Sequence, residues 1–417
     1  MRRARPGRLS DWSASGYSNR RHHLLIVGFG IYSGRDSAPG LPDPDAPAPS
    51  VSRVRRRAGS TVGVRAVRDL RMGAVRMSRS ALPILDERLR GTKFVGLAAR
   101  SLLNSPQQTG MDFWSVNPYV GCEFGCTYCY ARYAHRYVVE RARDRGVLSD
   151  EEFQDFRGAQ GWEAFERRIF VKENVRAALD ADLRRYFRSV GAGDHPAATI
   201  VIGTATDPYQ PAERRFRVTR TILERLATYE GLSIGIITKS PLITRDSDVL
   251  QRLAARSDVE VYMSLITVDA GLIRKVEARS PSPAVRLRAL RRLTGAGINA
   301  GLIVAPILPG ITDDRPHLEA IFQAARDADA RFVHAGPLRL YAAVRDRFLP
   351  VLEAEFPHLV ERYVRAYARY SSAPREYASA LRRRIQRLQA RFGLPVNRGM
   401  QDRYQRRRPA PQVELTF

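Results

Sequence analysis

Cysteine and lysine are the scarce residues of this sequence. Among 417 residues there are three cysteines, Cys122, Cys126 and Cys129, which stand within eight positions. An odd number of crowded cysteines argues against a disulfide framework, and a chain of this length does not need one. Only four of the 69 basic residues are lysines, so nearly every cation is an arginine. A position that retains lysine is therefore a candidate for a specific role.

Long apolar runs are also missing. The apolar run over residues 24–32 has nine residues, whereas a transmembrane helix needs about 20. Arg20 and Arg21, which precede it, imitate a twin-arginine export signal, but no small-residue cleavage site is evident. We therefore expect no membrane association and a cytoplasmic location.

The positive charge is concentrated at the two ends of the chain. The formal net charge is +26, of which residues 1–80 contribute +11 and residues 361–417 contribute +10, leaving +5 for the 280 residues between them. Basic ends attract phosphate backbones, which makes nucleic acid a candidate substrate or partner. Solvated basic tails are the alternative explanation of the same charge.

Composition divides the chain into three regions. Residues 1–80 are rich in proline and arginine, which predicts a disordered extension. The alternative is that the true start codon lies further downstream and that these residues do not belong to the protein. Residues 81–345 are predicted to form the core domain, with the motifs described below lying between residues 110 and 340. Residues 346–417 are predicted to be a helical C-terminal extension with a basic tail. Apolar residues recur there at helical spacing: Leu381, Ile385 and Leu388.

Strands and helices are predicted to alternate from about residue 113. Short, almost continuously apolar runs are typical of strands buried on both faces. They occur near residues 113–116 and at residues 199–203, 233–237, 259–263, 300–304 and 332–334. Helical stretches lie between the strands, at residues 217–229, 245–255, 283–296 and 315–328. Six such units predict an α/β fold with a parallel sheet, a partial (β/α)6 barrel of the TIM type. An open doubly wound sheet is the alternative.

The cysteines have the spacing Cys-x-x-x-Cys-x-x-Cys in residues 122–129 (CEFGCTYC). Thiolates are the ligands that iron–sulfur clusters take, and so short a loop can wrap three of them around one four-iron cluster. Three ligands leave one iron open, as in catalytic rather than structural metal sites. A zinc site is the alternative, because His135 would complete a Cys3His tetrahedron.

Polar residues stand where the predicted strands end. Thr206 and Asp207 follow the second strand, Lys239 follows the third, and Ser264 ends the fourth. The carboxyl ends of parallel strands meet at one edge of a barrel, so we expect these residues to lie together there. Lys239 is one of the four lysines, and its compact point charge on a flexible stem suits a carboxylate partner.

Five segments resemble, in order, the motifs of a branch of the radical S-adenosylmethionine (SAM) superfamily. This branch contains spore photoproduct lyase and its uncharacterised "DNA repair photolyase" relatives. The segments are residues 206–213 (TDPYQPAE), 238–246 (TKSPLITRD), 262–267 (YMSLIT), 277–287 (EARSPSPAVRL) and 305–313 (APILPGITD). The resemblance implies a 4Fe-4S cluster whose open iron binds SAM. It also implies that one electron, from a donor such as flavodoxin or ferredoxin, splits SAM into methionine and a hydrogen-abstracting 5′-deoxyadenosyl radical.

The resemblance extends to individual residues. It implies that Thr206 and Asp207 bind the SAM amino group or ribose, that Ser264 binds the ribose hydroxyls, and that Tyr128 lies against the adenine. The SAM carboxylate is a suitable partner for Lys239. Turn formation is the alternative role of Asp207 before its proline, and helix capping is that of Ser264.

Other residues near the predicted strand ends are weaker candidates. A salt bridge on a βα loop explains Glu277 and Arg286 as well as a functional role does. His135 and Arg136 are candidates for hydrogen bonds to cluster sulfides, although capping or surface roles explain them equally. His334 ends the sixth strand and is a candidate contact for adenine or substrate, with a buried core histidine as the alternative.

The interpretation is therefore a radical SAM enzyme that abstracts hydrogen from an unidentified substrate. Two alternatives stay open: lyase-type repair of UV-damaged DNA, and a non-catalytic metal-binding module for nucleic acid. By resemblance, the lyase needs a further cysteine just before the pair that is Thr206-Asp207 here, where this chain has Ala205. Tyr209 is a candidate substitute hydrogen donor. The sequence does not predict the substrate, the fate of SAM or the oligomeric state.

Overall fold

The structure is a computed structural model that describes residues 84–88, 91–158, 163–191 and 199–395. The predicted extension over residues 1–80 and the basic tail after residue 395 lie outside the described residues. No helix in the described ranges is both long and apolar enough to cross a membrane.

The described residues form eleven strands in two sheets. The strands are β1 (Ile84–Arg88), β2 (Thr92–Leu97), β3 (Leu103–Asn104), β4 (Trp114–Val116), β5 (Tyr119–Val120), β6 (Arg168–Lys172), β7 (Thr199–Ile202), β8 (Ser233–Thr238), β9 (Asp258–Ser264), β10 (Asn299–Ile307) and β11 (Val333–Pro337).

Helices connect and flank these strands. They are α1 (Pro106–Thr109), α2 (Arg132–Asp144), α3 (Asp150–Arg157), α4 (Val175–Gly191), α5 (Glu213–Phe216), α6 (Val218–Leu226), α7 (Ser247–Ala254), α8 (Ala270–Val276), α9 (Pro283–Gly295), α10 (Arg315–Asp327), α11 (Ala342–Glu355), α12 (Val360–Ala366) and α13 (Arg375–Phe392).

The larger sheet has the strand order β11-β10-β9-β8-β7-β4-β3. Six neighbouring strands of this sheet pair in parallel: β4, β7, β8, β9, β10 and β11. The seventh strand, β3, is antiparallel to β4. The six predicted strands are therefore confirmed, and the helices between them lie where the periodicity predicted. In the described part of the chain, β3 and β11 are the two ends of the sheet, so the (β/α)6 arrangement is partial, as predicted.

Alternate residues along each parallel strand face opposite sides of the sheet. Val259, Val261 and Met263 of β9 join the main core under the helices. The intervening Tyr262 packs instead with Ile303 and with residues of β11 on the concave side. The concave side therefore carries a small aromatic cluster, and its carboxyl edge is where the functional side chains stand.

Several helices begin at residues that the local sequence marks. Ser149 and Glu152 form a reciprocal capping box at the start of α3. The Asp314 side chain accepts a hydrogen bond from the amide of His317 at 2.8 Å and so caps α10. Pro283 occupies the first position of α9, where a missing amide proton costs nothing. The signals at α9 and α10 explain why these two helices begin where the sequence predicted, whereas α3 was not predicted.

The smaller sheet was not predicted from the sequence. Its order is β1-β2-β6-β5, with β2 and β6 parallel and the outer pairs antiparallel. It packs against α2 and α3 through the apolar side chains of Val95, Val139, Phe153, Phe156 and Phe170. Because β5 belongs to this sheet, the cysteine loop does not leave the first barrel strand directly. It begins where the two sheets meet.

The C-terminal helix α13 packs on the main sheet. Its apolar residues Leu381, Ile385 and Leu388 belong to the same core as the parallel strands. The Gln389 side chain donates to the carbonyl of Val333 in β11 at 2.8 Å. The domain boundary expected at residue 345 falls inside α11.

Candidate active site

The cysteine loop lies between β5 and α2, and backbone hydrogen bonds to distant segments hold it. The Cys122 amide donates to the carbonyl of Phe165 at 2.9 Å, and the Thr127 amide donates to that of Val276 at 2.9 Å. Gly121 enters the loop with φ +95°, and a Cβ on it would lie 2.8 Å from the Phe165 carbonyl oxygen. Only glycine fits this approach. These contacts with Phe165 and Val276 position the loop.

Cys122 and Cys126 are buried, and Cys129 is partly buried. Burial is the largest cause that raises the pKa of each thiol, and for Cys126 it raises the pKa to about 12. Asp207 and the other two thiols raise the pKa of Cys122 further. A bound metal centre supplies the positive charge that ionises such thiols. In the described part of the chain no group of three or more Cys, His, Asp or Glu side chains is gathered as a metal site. It is the chemistry of the donor set, three soft thiols in one loop of eight residues, that fits an iron–sulfur cluster.

His135, the fourth ligand of the alternative zinc site, has other contacts. Its Nε2 lies 2.8 Å from the carbonyl oxygen of Arg168, and its ring packs against Phe165 and Phe170. Burial lowers the pKa of His135 to about 4, so the imidazole is neutral. These contacts assign His135 to the packing between α2 and the smaller sheet, and they do not favour a Cys3His site.

Lys239 is a partly buried cation of the site, with its side chain 16% exposed. Its Nζ donates to the hydroxyl of Ser264 at 3.0 Å and lies 5.7 Å from the centre of the Tyr128 ring. The nearest carboxylate oxygen that pairs with it, on Glu277, is 4.0 Å away. Burial lowers the pKa of Lys239, but its interactions with Cys126 and Glu277 outweigh burial and raise it. The amine is therefore an ammonium without a close carboxylate partner.

Glu277 and Arg286 connect the cysteine loop to this cation. The Tyr128 hydroxyl donates to Glu277, and Arg286 forms an ion pair with the same carboxylate. A second nitrogen of Arg286 donates to the backbone carbonyl of Ser264 at 2.9 Å. Burial opposes ionisation of Glu277, but Arg286 and Lys239 dominate and lower its pKa to about 2. The carboxylate is thus charged and shared by the cysteine loop, the end of β8 and helix α9.

Asp207 and Thr206 bind protein groups in this structure. Asp207 accepts hydrogen bonds from the Thr238 hydroxyl and the Lys239 amide, both at 2.7 Å, and so joins the ends of β7 and β8. The Thr206 hydroxyl donates to the carbonyl of Gly121 at 2.6 Å, next to the first cysteine. Both residues therefore position the loop and Lys239, and their contacts with SAM stay predictions.

The remaining sequence candidates lie in different places. Arg136 forms an exposed ion pair with Glu140. His334 is buried on the concave side beside Tyr262, and burial lowers its pKa to about 4. Tyr209 is fully buried in the main core, where burial and then Asp246 raise its pKa. The charges that act most strongly on its hydroxyl belong to the α5–α7 region, which does not favour Tyr209 as a hydrogen donor.

Sequence reasoning missed several residues that position the site. Gln210 accepts from the Glu123 amide at 2.9 Å and donates to the Gly121 carbonyl at 3.1 Å, so it holds both sides of Cys122. Its place inside the TDPYQPAE segment was the available signal. Glu166 and Arg132, which contact each other and the loop, carry no comparable signal because they stand outside the motifs.

Comparisons with known proteins agree with this geometry. Residues 116–320 match the radical SAM superfamily. An uncharacterized protein of Mycobacterium bovis is 33% identical over 326 residues, covering 78% of this chain and 86% of that protein. An uncharacterized protein of Methanocaldococcus jannaschii is 27% identical over 221 residues, covering 53% of this chain and 70% of that protein. A mutant of spore photoproduct lyase aligns with a TM-score of 0.51 at 16% identity, covering 73% of this chain and 81% of that chain, which indicates a common fold.

This chain belongs to the radical SAM superfamily. Members of that superfamily are enzymes, and the family implies a 4Fe-4S cluster and SAM as cofactors. The resemblance noted in the sequence is thereby confirmed at the level of the superfamily and the fold.

Proposed function

We propose that Cys122, Cys126 and Cys129 hold a 4Fe-4S cluster, that SAM binds beside Lys239, and that the protein abstracts a hydrogen atom from an unidentified substrate. The observation that carries this proposal is the place of Lys239. It is a partly buried ammonium that donates to the Ser264 hydroxyl, and the carboxylate it pairs with is 4.0 Å away. Such a cation is available for a ligand carboxylate, which forms a charge-assisted hydrogen bond.

The chain's own residues bind and orient in this scheme. Lys239 holds the SAM carboxylate, and Tyr128 and Ser264, which contact it, line the space for adenine and ribose. Thr206 and Asp207 keep the loop and strand end in place and take the SAM amino group or ribose. When bound, the cluster and SAM supply a hydrogen-abstracting radical after one electron arrives from a donor protein such as flavodoxin or ferredoxin. The protein contributes orientation and exclusion of water.

Anaerobic turnover tests the proposal. The reduced, cluster-loaded protein is incubated with SAM and pools of candidate substrates, and 5′-deoxyadenosine is measured against the same mixture without substrate. A pool that raises 5′-deoxyadenosine above this background contains the substrate. A protein that holds four irons yet never cleaves SAM contradicts the proposal. We place this reaction in the cytoplasm, where a reducible cluster is maintained.

Lyase-type repair of UV-damaged DNA is the second candidate. The order of the five motifs supports it, and the likeness to spore photoproduct lyase supports only the fold. Against it, the chain has no thiol beyond the three proposed cluster ligands. A non-catalytic metal-binding module is less well supported, because it has no need of Lys239 beside the buried Glu277.

A further inference from the structure

Glu166 carries three arginines on one carboxylate. Arg132 pairs with it from inside the protein, and Arg279 and Arg347 pair with it from the surface. The Arg279 and Arg347 side chains are 39% and 42% exposed, whereas Glu166 is 9% exposed. Three guanidinium groups against one carboxylate leave a net charge of +2. We call the exposed part of this group, Arg279 and Arg347, the Glu166 patch.

The Glu166 patch touches the backbone of the cysteine loop. The Nε of Arg279 donates to the Glu123 carbonyl at 2.6 Å, and its amide donates to the Phe124 carbonyl at 3.4 Å. The guanidinium lies against Gly125, whose φ is +64° and where a Cβ would collide with it. Beneath the patch, Arg132 donates to the carbonyl of Cys126 at 3.1 Å. Positive charge thus reaches from the loop to solvent.

Glu166 lies between the cysteine loop and the exposed arginines. It pairs with Arg132 and Arg279, and these two arginines donate to the loop carbonyls of Cys126 and Glu123. Because electron transfer slows steeply with distance, the surface in contact with the loop is where a donor cofactor comes close to a cluster held there.

We infer that the Glu166 patch is the docking face for an acidic protein that carries a one-electron cofactor. The inference rests on the proposed function, which requires an electron from outside the chain. Redox partners form small, transient interfaces, and charge complementarity increases their rate of association. A patch with net charge +2 favours an acidic carrier. Arg347 contacts Glu166 only at 3.4 Å, so its charge can be reversed with little effect on the loop.

The test compares two sources of electrons. Wild type, Arg347→Glu and Arg252→Glu are loaded with iron anaerobically, and cluster reduction is followed with reduced flavodoxin or with dithionite. Arg252 is a matched control, because its side chain is 60% exposed and ion-paired and lies at the end of α7 that precedes β9, away from the loop. We expect Arg347→Glu to slow reduction by flavodoxin at least about tenfold at low salt, and less at high salt. Reduction by dithionite should be the same in all three.

A second measurement does not depend on the cluster. Oxidised flavodoxin is titrated with the iron-free proteins, and its chemical shifts report binding, which Arg347→Glu should weaken and Arg252→Glu should leave unchanged. If flavodoxin reduces the iron-loaded wild type and Arg347→Glu at equal rates, the docking face is wrong but the proposed function stands. The same holds if Arg347→Glu is reduced slowly by both flavodoxin and dithionite. If Arg347→Glu loses DNA binding while its reduction by flavodoxin is unchanged, the docking face for a redox protein is also overturned. That outcome would favour nucleic acid as the partner of this face. A wild-type chain that holds no iron overturns the proposed function itself.

Discussion

Glu277 and Arg286 form an ion pair in which neither side chain is exposed to solvent. Removing one partner of a buried pair leaves the other charge unpaired, which typically costs about 3–5 kcal/mol. Here the carboxylate also accepts from the Tyr128 hydroxyl, so the pair links the cysteine loop to the segment after β9. The sequence left a loop salt bridge and a functional role as equal explanations of these two residues. The structure shows the salt bridge and places it beside Tyr128 and Lys239.

The first prediction concerns the cluster. Anaerobically reconstituted protein should bind about four irons and show the broad visible absorbance of a thiolate-ligated cluster. Replacing Cys122, Cys126 or Cys129 by Ala should abolish both. His135→Phe is the control and should keep the iron, because the histidine bonds to a backbone carbonyl instead. Stoichiometric zinc without iron after reconstitution, lost in His135→Phe, would favour the Cys3His site.

The second prediction concerns Lys239. Its replacement by Ala should remove a charge-assisted contact to the SAM carboxylate, which is worth about 1.5–3 kcal/mol, roughly ten- to a hundredfold in affinity. Lys239→Arg should also weaken binding, because a planar fork replaces a point charge. Iron content should not change in either variant. Lys93→Ala is the control, a partly exposed lysine that pairs with Asp155. SAM binding to Lys239→Ala at wild-type affinity would show that the assignment is wrong.

A matched pair of carboxylates separates positioning from stability. Glu213 resembles Glu277 in being fully buried, accepting from a tyrosine hydroxyl (Tyr119, 2.5 Å) and pairing with an arginine (Arg245, 3.0 Å). Glu277→Gln and Glu213→Gln should both lower the free energy of unfolding. Only Glu277→Gln should also change the affinity for SAM, measured by equilibrium binding to the cluster-loaded protein. Equal effects on SAM affinity would reduce Glu277 to a structural role.

The pH dependence of stability should also report Glu277. Its pKa of about 2 lies below the ordinary 4.5, so the unfolded chain takes up a proton first as pH falls. Its stabilisation is complete above pH 4.5 and is lost between pH 4.5 and about 2. The free energy of unfolding of the iron-free protein, measured with urea, should therefore fall less steeply between pH 4.5 and about 2 in Glu277→Gln than in wild type. If the free energies of unfolding of wild type and Glu277→Gln fall in parallel with pH, the lowered pKa of Glu277 is contradicted.

Glu213 provides the opposite sign in the same experiment. Burial is the largest cause that raises its pKa above 4.5, so the folded chain keeps a proton that the unfolded chain loses. That contribution to stability is present below pH 4.5 and declines as pH rises through the folded pKa. Glu213→Gln should therefore change the curve above pH 4.5, a range in which Glu277 does not titrate.

The last prediction concerns spore photoproduct. Incubated with SAM and this lesion, the protein should return little or no thymine, because Ala205 stands where the lyase is expected to have its donor cysteine. Tyr209, the substitute considered from the sequence, is fully buried in the main core. The Ala205→Cys variant supplies the missing thiol and is the informative comparison. Repeated turnover to thymine by wild type would point to a non-thiol hydrogen donor.

The sequence by itself determined the six parallel strands, the helices between them and the three-cysteine loop. Each of these follows from a periodicity or spacing over a few consecutive residues, which local geometry converts directly into structure. It also placed Lys239, Asp207 and Ser264 at one edge, because the carboxyl ends of parallel strands coincide. Only the tertiary structure decided which partners hold them. Tyr128 and Glu277 are 149 residues apart, and Glu166 meets Arg347 across 181 residues. Such contacts depend on how the loop, α8 and α11 pack, and no local pattern encodes that packing.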